Sequence, residues 1–153
     1  MKKTVSIALA ALMLCALALS FAACANKQGG TPEDVSPKGK VETMGNISVY
    51  VPDGWRLQAS SGEDPDSCFV MKGSAMSDGY VWITIADRGL ADSSIAGNNT
   101  AEIEPFTVNG TEWAGKDGCF CGTIGDKLYL ITLYALSHDD ADVQSVIGSL
   151  ADR

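Results

Sequence analysis

Ile47-Ser48-Val49-Tyr50-Val51-Pro52-Asp53-Gly54-Trp55 holds a strand, a turn and the start of a second strand. Ile47, Val49 and Val51 alternate with Ser48 and Tyr50, the period of two expected of a half-buried strand. Pro52-Asp53-Gly54 reads as a turn, because proline fixes φ and glycine accepts positive φ. Trp55-Arg56-Leu57-Gln58 opens the next strand, so the chain begins its folded part as an antiparallel meander.

The same grammar continues downstream. Gly62-Glu63-Asp64-Pro65-Asp66 is an acidic loop, and Cys68-Phe69-Val70-Met71 a short strand. Tyr80-Val81-Trp82-Ile83-Thr84-Ile85-Ala86 is apolar on both faces and is expected in the sheet interior. Residues 87–104 have weak periodicity, with one helical turn expected around Leu90–Ile95 and a loop at Gly97-Asn98-Asn99. Phe106-Thr107-Val108 and Thr111-Glu112-Trp113 flank Asn109-Gly110, the pair that a type I′ hairpin turn favours. Residues 119–124 and 127–135 flank Gly125-Asp126, which suits a second primed turn. Val143, Val146, Ile147 and Leu150 then fall at i, i+3, i+4 and i+7, one apolar stripe of a terminal helix. Ser137 is its expected N-cap, with Asp139, Asp140 and Asp142 in the first turn, where the helix dipole favours negative charge. The fold class expected is α+β: an antiparallel sheet meander with a C-terminal helix packed on one face.

Upstream the pattern is of another kind. Met1-Lys2-Lys3 is followed by an uncharged run from Val5 to Ala23 and then Cys24. This is the order of a secretory signal peptide, although the run also approaches the 18–20 residues of an uncleaved membrane anchor. Phe21-Ala22-Ala23-Cys24 resembles the lipobox of bacterial lipoproteins. The resemblance implies cleavage after residue 23, lipidation of the Cys24 thiol, and an extracytoplasmic chain anchored to the cell membrane by its acyl groups. Residues 24–44, with Gly29, Gly30, Pro32, Pro37 and Gly39 among polar side chains, read as the lipidated cysteine and a flexible tether. Residues 45–153 are expected to be the single folded domain.

Ile47–Trp55, the Val108-Asn109-Gly110 turn and the helix from Val143 to Leu150 together resemble PsbP-like (Mog-type) α/β/α sandwich domains. That family shares no catalytic residues, so the resemblance implies a binding or assembly module.

Charge narrows the partners. The 153 residues carry 19 acidic and 11 basic side chains, for a net charge of −8. Lys2 and Lys3 are the only charges of the leader, so its removal takes the net charge to −10. A nucleic-acid binder needs a cationic face, and that class is excluded. The expected partners are the membrane, through the lipid, and an envelope protein or small ligand.

Candidate chemistry rests on few residues. Cys68, Cys119 and Cys121 remain in the folded part. Alternation places Cys119 and Cys121 on one strand face, where a bridge between them would be strained. A disulfide would therefore join Cys68 to Cys121 or to Cys119, against the alternative of buried free thiols. A rival function is a metal or redox protein, or an enzyme, using Cys68, Cys119, Cys121 and His138. His138 is the only histidine, expected to be solvated beside the helix start. No hydrolase signature or phosphate loop is present, and Glu63-Asp64-Pro65-Asp66 lacks the ligand order of a calcium loop. The expectation is no enzyme, no metal and no cofactor. Trp55, Trp82 and Trp113 are expected in the core; exposed on a sheet face, they would instead stack on a sugar or a peptide.

Overall fold

The computed structural model describes residues 38–150. The leader, Cys24 and the chain through residue 37 lie outside them. The strands are β1 (Gly39–Met44), β2 (Ile47–Pro52), β3 (Trp55–Ala59), β4 (Ser67–Lys72), β5 (Tyr80–Ala86), β6 (Phe106–Val108), β7 (Thr111–Lys116), β8 (Cys119–Ile124) and β9 (Lys127–Tyr134). The α-helices are α1 (Arg88–Gly97), between β5 and β6, and α2 (Ala141–Gly148) at the end. The class is mixed α+β, mostly antiparallel, with a C-terminal helix.

β1 and β2 form a two-stranded hairpin, and the rest a seven-stranded antiparallel sheet in the order β3-β4-β5-β9-β8-β7-β6. The turns follow the local chemistry. Asn109 and Gly110 both take positive φ, at 48° and 81°, as a type I′ turn demands. Gly125 takes φ 61° between β8 and β9.

One face of the large sheet is closed. Val70 of β4, Val81 and Ile83 of β5, Ile131 of β9, Phe120 of β8 and Trp113 of β7 point to it and are fully buried. Ile47, Val49 and Val51 of the hairpin and Val143, Val146 and Ile147 of α2 complete this core. Ser149, just past α2, accepts a hydrogen bond from the Tyr50 N–H at 2.7 Å. The helix end thus satisfies a donor on the edge of β2 away from β1, where a bare edge would invite association. Gly122 lies opposite Trp113 in the register, and a Cβ there would sit 2.7 Å from the indole ring. Only glycine leaves that ring its place.

Four expectations are corrected. Residues 39–44, read as the end of the tether, are β1 and pair with β2 from Gly39–Pro52 to Met44–Ile47. The strand was hidden because Val41 is 64% exposed and Met44 alone, at its far end, packs against the core, so it carries no alternating core pattern. The single helical turn near Leu90–Ile95 is the ten-residue α1, capped by Asp87, whose carboxylate accepts from the Leu90 N–H. The N-cap of α2 is Asp140, not Ser137. Ser137 instead accepts from the Asp139 N–H in a local turn, which leaves Asp139 outside the helix. Finally, β5 is interior to the sheet, yet only one of its faces is closed.

Candidate functional site

The other face of the sheet is divided. α1 lies over β8, burying Ala91 against Cys119 and Leu130, with Ile95, Cys121 and Leu128 around them. Beyond its edge the face opens to water. Alternation brings Phe69 of β4, Tyr80 and Trp82 of β5 and Tyr134 of β9 to this side. Phe69 faces Trp82 and Tyr80 faces Tyr134 in the register. Cross-strand neighbours at that spacing stack: Phe69 on Trp82 at 5.5 Å, and Tyr80 on Tyr134 at 5.3 Å with 11° between planes. Phe69 and Tyr80 meet edge to face at 5.3 Å, so the four rings are continuous. Trp82 is 39% and Tyr134 52% exposed.

Trp82 is held. Its indole N–H donates to the Ser67 hydroxyl at 2.7 Å, and Ser67 pairs with the Thr84 hydroxyl at 3.2 Å. With Phe69 against it, the ring has few ways to turn. It forms one wall of a groove of about 600 Å³ whose other wall is α1, at Leu90, Ser94 and Gly97. Thr84, Leu130, Thr132 and Cys119 also line it, and Asn98, Thr100, Asp64 and Asp117 come from the loops around it. Asn98 and Thr100 both donate to the Asp117 carbonyl, which ties the loop after α1 to the loop between β7 and β8. A largely pre-formed cleft of this volume, apolar with a few fixed polar groups, is the form of a small-ligand site.

Each residue singled out in the sequence has a place in this frame. Cys68, Cys119 and Cys121 are free thiols, the alternative the sequence left open beside a Cys68–Cys121 or Cys68–Cys119 bridge. The reason is the sheet itself. Cys68 belongs to the closed face; Cys119 and Cys121 belong to the face under α1. β5 and β9 also lie between β4 and β8, a separation of about 14 Å at normal strand spacing, twice the reach of a disulfide. Burial pushes the Cys68 thiol up to about 12. Burial also raises Cys119, against the Thr132 hydroxyl, which donates to it. Both are neutral thiols at pH 7, not activated nucleophiles.

His138 is not solvated, a further correction. Its side chain is 19% exposed, with Nε2 3.5 Å from Asp139. The ring packs at 4.9 Å from Phe106 and 6.5 Å from Phe120, both residues of the closed-face core. It therefore lies across the sheet from Cys119 and Cys121, and the Cys–His constellation is not assembled. In the acidic loop, Asp66 accepts from the Asn46 side chain at 2.8 Å, which pins the loop to the turn of the first hairpin, and Asp64 accepts from the Asp66 N–H within the loop. Trp113 is core, as expected, and Trp55 packs against the core partly buried. Trp82 departs from the expectation. The signal was in its strand: Tyr80, Trp82 and Thr84 are amphipathic and share a phase, while Val81, Ile83 and Ile85 share the other. Cys24 lies outside the described residues.

No family model, no curated protein and no solved structure matches the chain.

Proposed function

We propose that this chain is a lipid-anchored, extracytoplasmic binding module of the bacterial envelope, without a catalytic role, that takes its ligand on the open face of the sheet. The supporting observation is the groove beside Trp82: a rigidly tethered aromatic wall and polar loops in a cleft that no element of the described chain fills. Anchoring rests on the likeness of Phe21-Ala22-Ala23-Cys24 to a lipobox, with the lipid on Cys24. A PsbP-like assignment fits the layering: a hairpin and α2 on one face of an antiparallel sheet, α1 on the other. The rival metal, redox or enzymatic use of Cys68, Cys119, Cys121 and His138 has no supporting geometry, because the sheet separates these residues.

The test uses the full chain in mild detergent, mixed with the producing cell's envelope fraction and sedimented. Wild-type protein is retained. Trp82→Ala lowers retention about tenfold, the loss of one aromatic contact and its ordering, while a fatty-acid probe still labels it. Cys24→Ser loses the label and keeps the retention. Equal retention of Trp82→Ala and wild type contradicts the site, and undiminished label in Cys24→Ser contradicts the anchor.

A further inference from the structure

We infer that the groove beside Trp82 takes a neutral glycan. The inference rests on the binding-module reading above and names the class of its ligand. Three observations carry it.

Charge comes first. The ionisable residues lining the groove are Asp64, Asp117 and Cys119, and none of the described residues that line it is Lys, Arg or His. Burial keeps Cys119 neutral. The carboxylates stand on a chain of net charge −8. A polyanion would meet carboxylates and no cation in the lining; the nearby Lys116 ammonium is held at 3.0 Å by the Asn98 carbonyl. An uncharged chain pays no such penalty.

The lining chemistry is the second. Ser94 brings a hydroxyl to the cleft and Asn98 the second N–H of an amide whose first is spent on the Asp117 carbonyl; Thr100 and Thr132, which donate to Asp117 and Cys119, and Thr84, paired with Ser67, bring hydroxyl oxygens, and Asp64 and Asp117 carry carboxylate acceptors. Each sugar hydroxyl is both donor and acceptor, and this inventory matches it on both counts. Between the polar groups stands the Trp82 ring, one side stacked on Phe69 and the indole N–H fixed by Ser67. The C–H face of a pyranose is apolar and flat and stacks on such a ring, while its equatorial hydroxyls turn outward to polar side chains.

The backbone is the third. β5 and β9, which underlie the site, are hydrogen-bonded on both sides within the sheet, β5 to β4 and β9, β9 to β5 and β8. An extended peptide has no free strand edge to join at this place, which removes the main-chain pairing by which sheets usually hold peptides. Ring faces and side-chain polar groups are what remain, and these suit a sugar.

The experiment is native electrophoresis of the full chain, in neutral detergent, through gels containing glycol chitin, hydroxyethylcellulose or dextran sulfate. The expected result is retardation by one of the two neutral polymers and none by dextran sulfate. Trp82→Ala weakens the apparent affinity about tenfold and Trp82→Phe, which keeps a ring, by less. Asn98→Ala weakens it as well, with Ser94→Ala as a second groove variant should Asn98→Ala lose its loop. Retardation by dextran sulfate alone, or by a neutral polymer equally in wild type and Trp82→Ala, overturns the inference. No retardation by either neutral polymer, with envelope retention that still depends on Trp82 and is abolished by protease treatment of the envelope, overturns the glycan and leaves the open-face site standing with a polypeptide ligand. Envelope retention indifferent to Trp82 removes the site itself.

Discussion

Two tryptophans on neighbouring parts of one sheet have opposite surroundings. Trp113 is completely enclosed by the hairpin, α2 and the closed-face core; Trp82, on the reverse side, keeps 39% of its surface in water although it too has aromatic company. Both faces are rich in large side chains, so composition does not separate them. What separates them is the amount of chain laid across each. A hairpin and a helix cover one face, and the ten residues of α1 shade only the β8–β9 side of the other. An apolar patch left open beside a polar-lined cleft costs a soluble domain solubility and is retained where it meets a ligand. The comparison thus assigns stability to one face and leaves the other as the place where the proposed ligand would bind.

The closed face should yield the largest effects. Trp113→Ala removes a fully buried ring and is expected to cost about 3–5 kcal/mol, and Ile147→Ala on α2 about 2–5 kcal/mol. Chemical denaturation measures both. A cost under about 1 kcal/mol for Ile147→Ala would mean that α2 is not docked, and the contrast between the faces would collapse.

A smaller effect sharpens the same contrast. Gly122→Ala puts a methyl group against the Trp113 ring, and overpacking of this kind costs about 1–3 kcal/mol. The melting temperature should fall by several degrees while binding at the open face, measured well below that temperature, is unchanged.

Smaller still is an alkaline effect at Cys68. Its folded-state pKa is raised from 9.0 to about 12 by burial. Below pH 9 the thiol is protonated folded and unfolded and contributes no pH dependence. Above it the unfolded chain releases the proton first, so stability falls as pH rises from 9 toward 12, by about 1 kcal/mol at pH 10. Cys68→Val should lose that part of the alkaline decline. An identical decline in both proteins would place Cys68 in contact with solvent and against the closed-face assignment.

How much of this was legible in the sequence follows the range of the interactions. The strands of the large sheet and the Asn109-Gly110 turn are set by neighbours in the chain, and they stand where alternation and turn chemistry put them. β1 escaped because Val41 faces water and glycine and proline flank it. α1 escaped because Gly89, Ser93 and Ser94 dilute the apolar stripe of Leu90, Ala91 and Ile95. The N-cap moved from Ser137 to Asp140 because Ser137 found a local backbone partner first. The site was least legible. Alternation separates Cys68 from Cys119 and Cys121 only once the order β4-β5-β9-β8 is known, and that order is a tertiary fact. Trp82 shares its phase with Tyr80 and Thr84, but no sequence pattern says that α1 stops short of covering it.

Trp82 supports the most direct test. Trp82→Ala and Trp113→Phe, made in the full chain, are compared for envelope retention at a temperature well below either melting point, with the melting temperatures recorded on the same samples. The account predicts a crossed result. Trp82→Ala loses about tenfold in retention and about 1–3 kcal/mol in stability, the worth of one ring contact and one hydrogen bond and less than the loss of the enclosed Trp113 ring. Trp113→Phe loses stability and keeps retention. Retention that falls in both variants in step with their melting temperatures, or that survives in Trp82→Ala, would contradict the division of labour between the two faces.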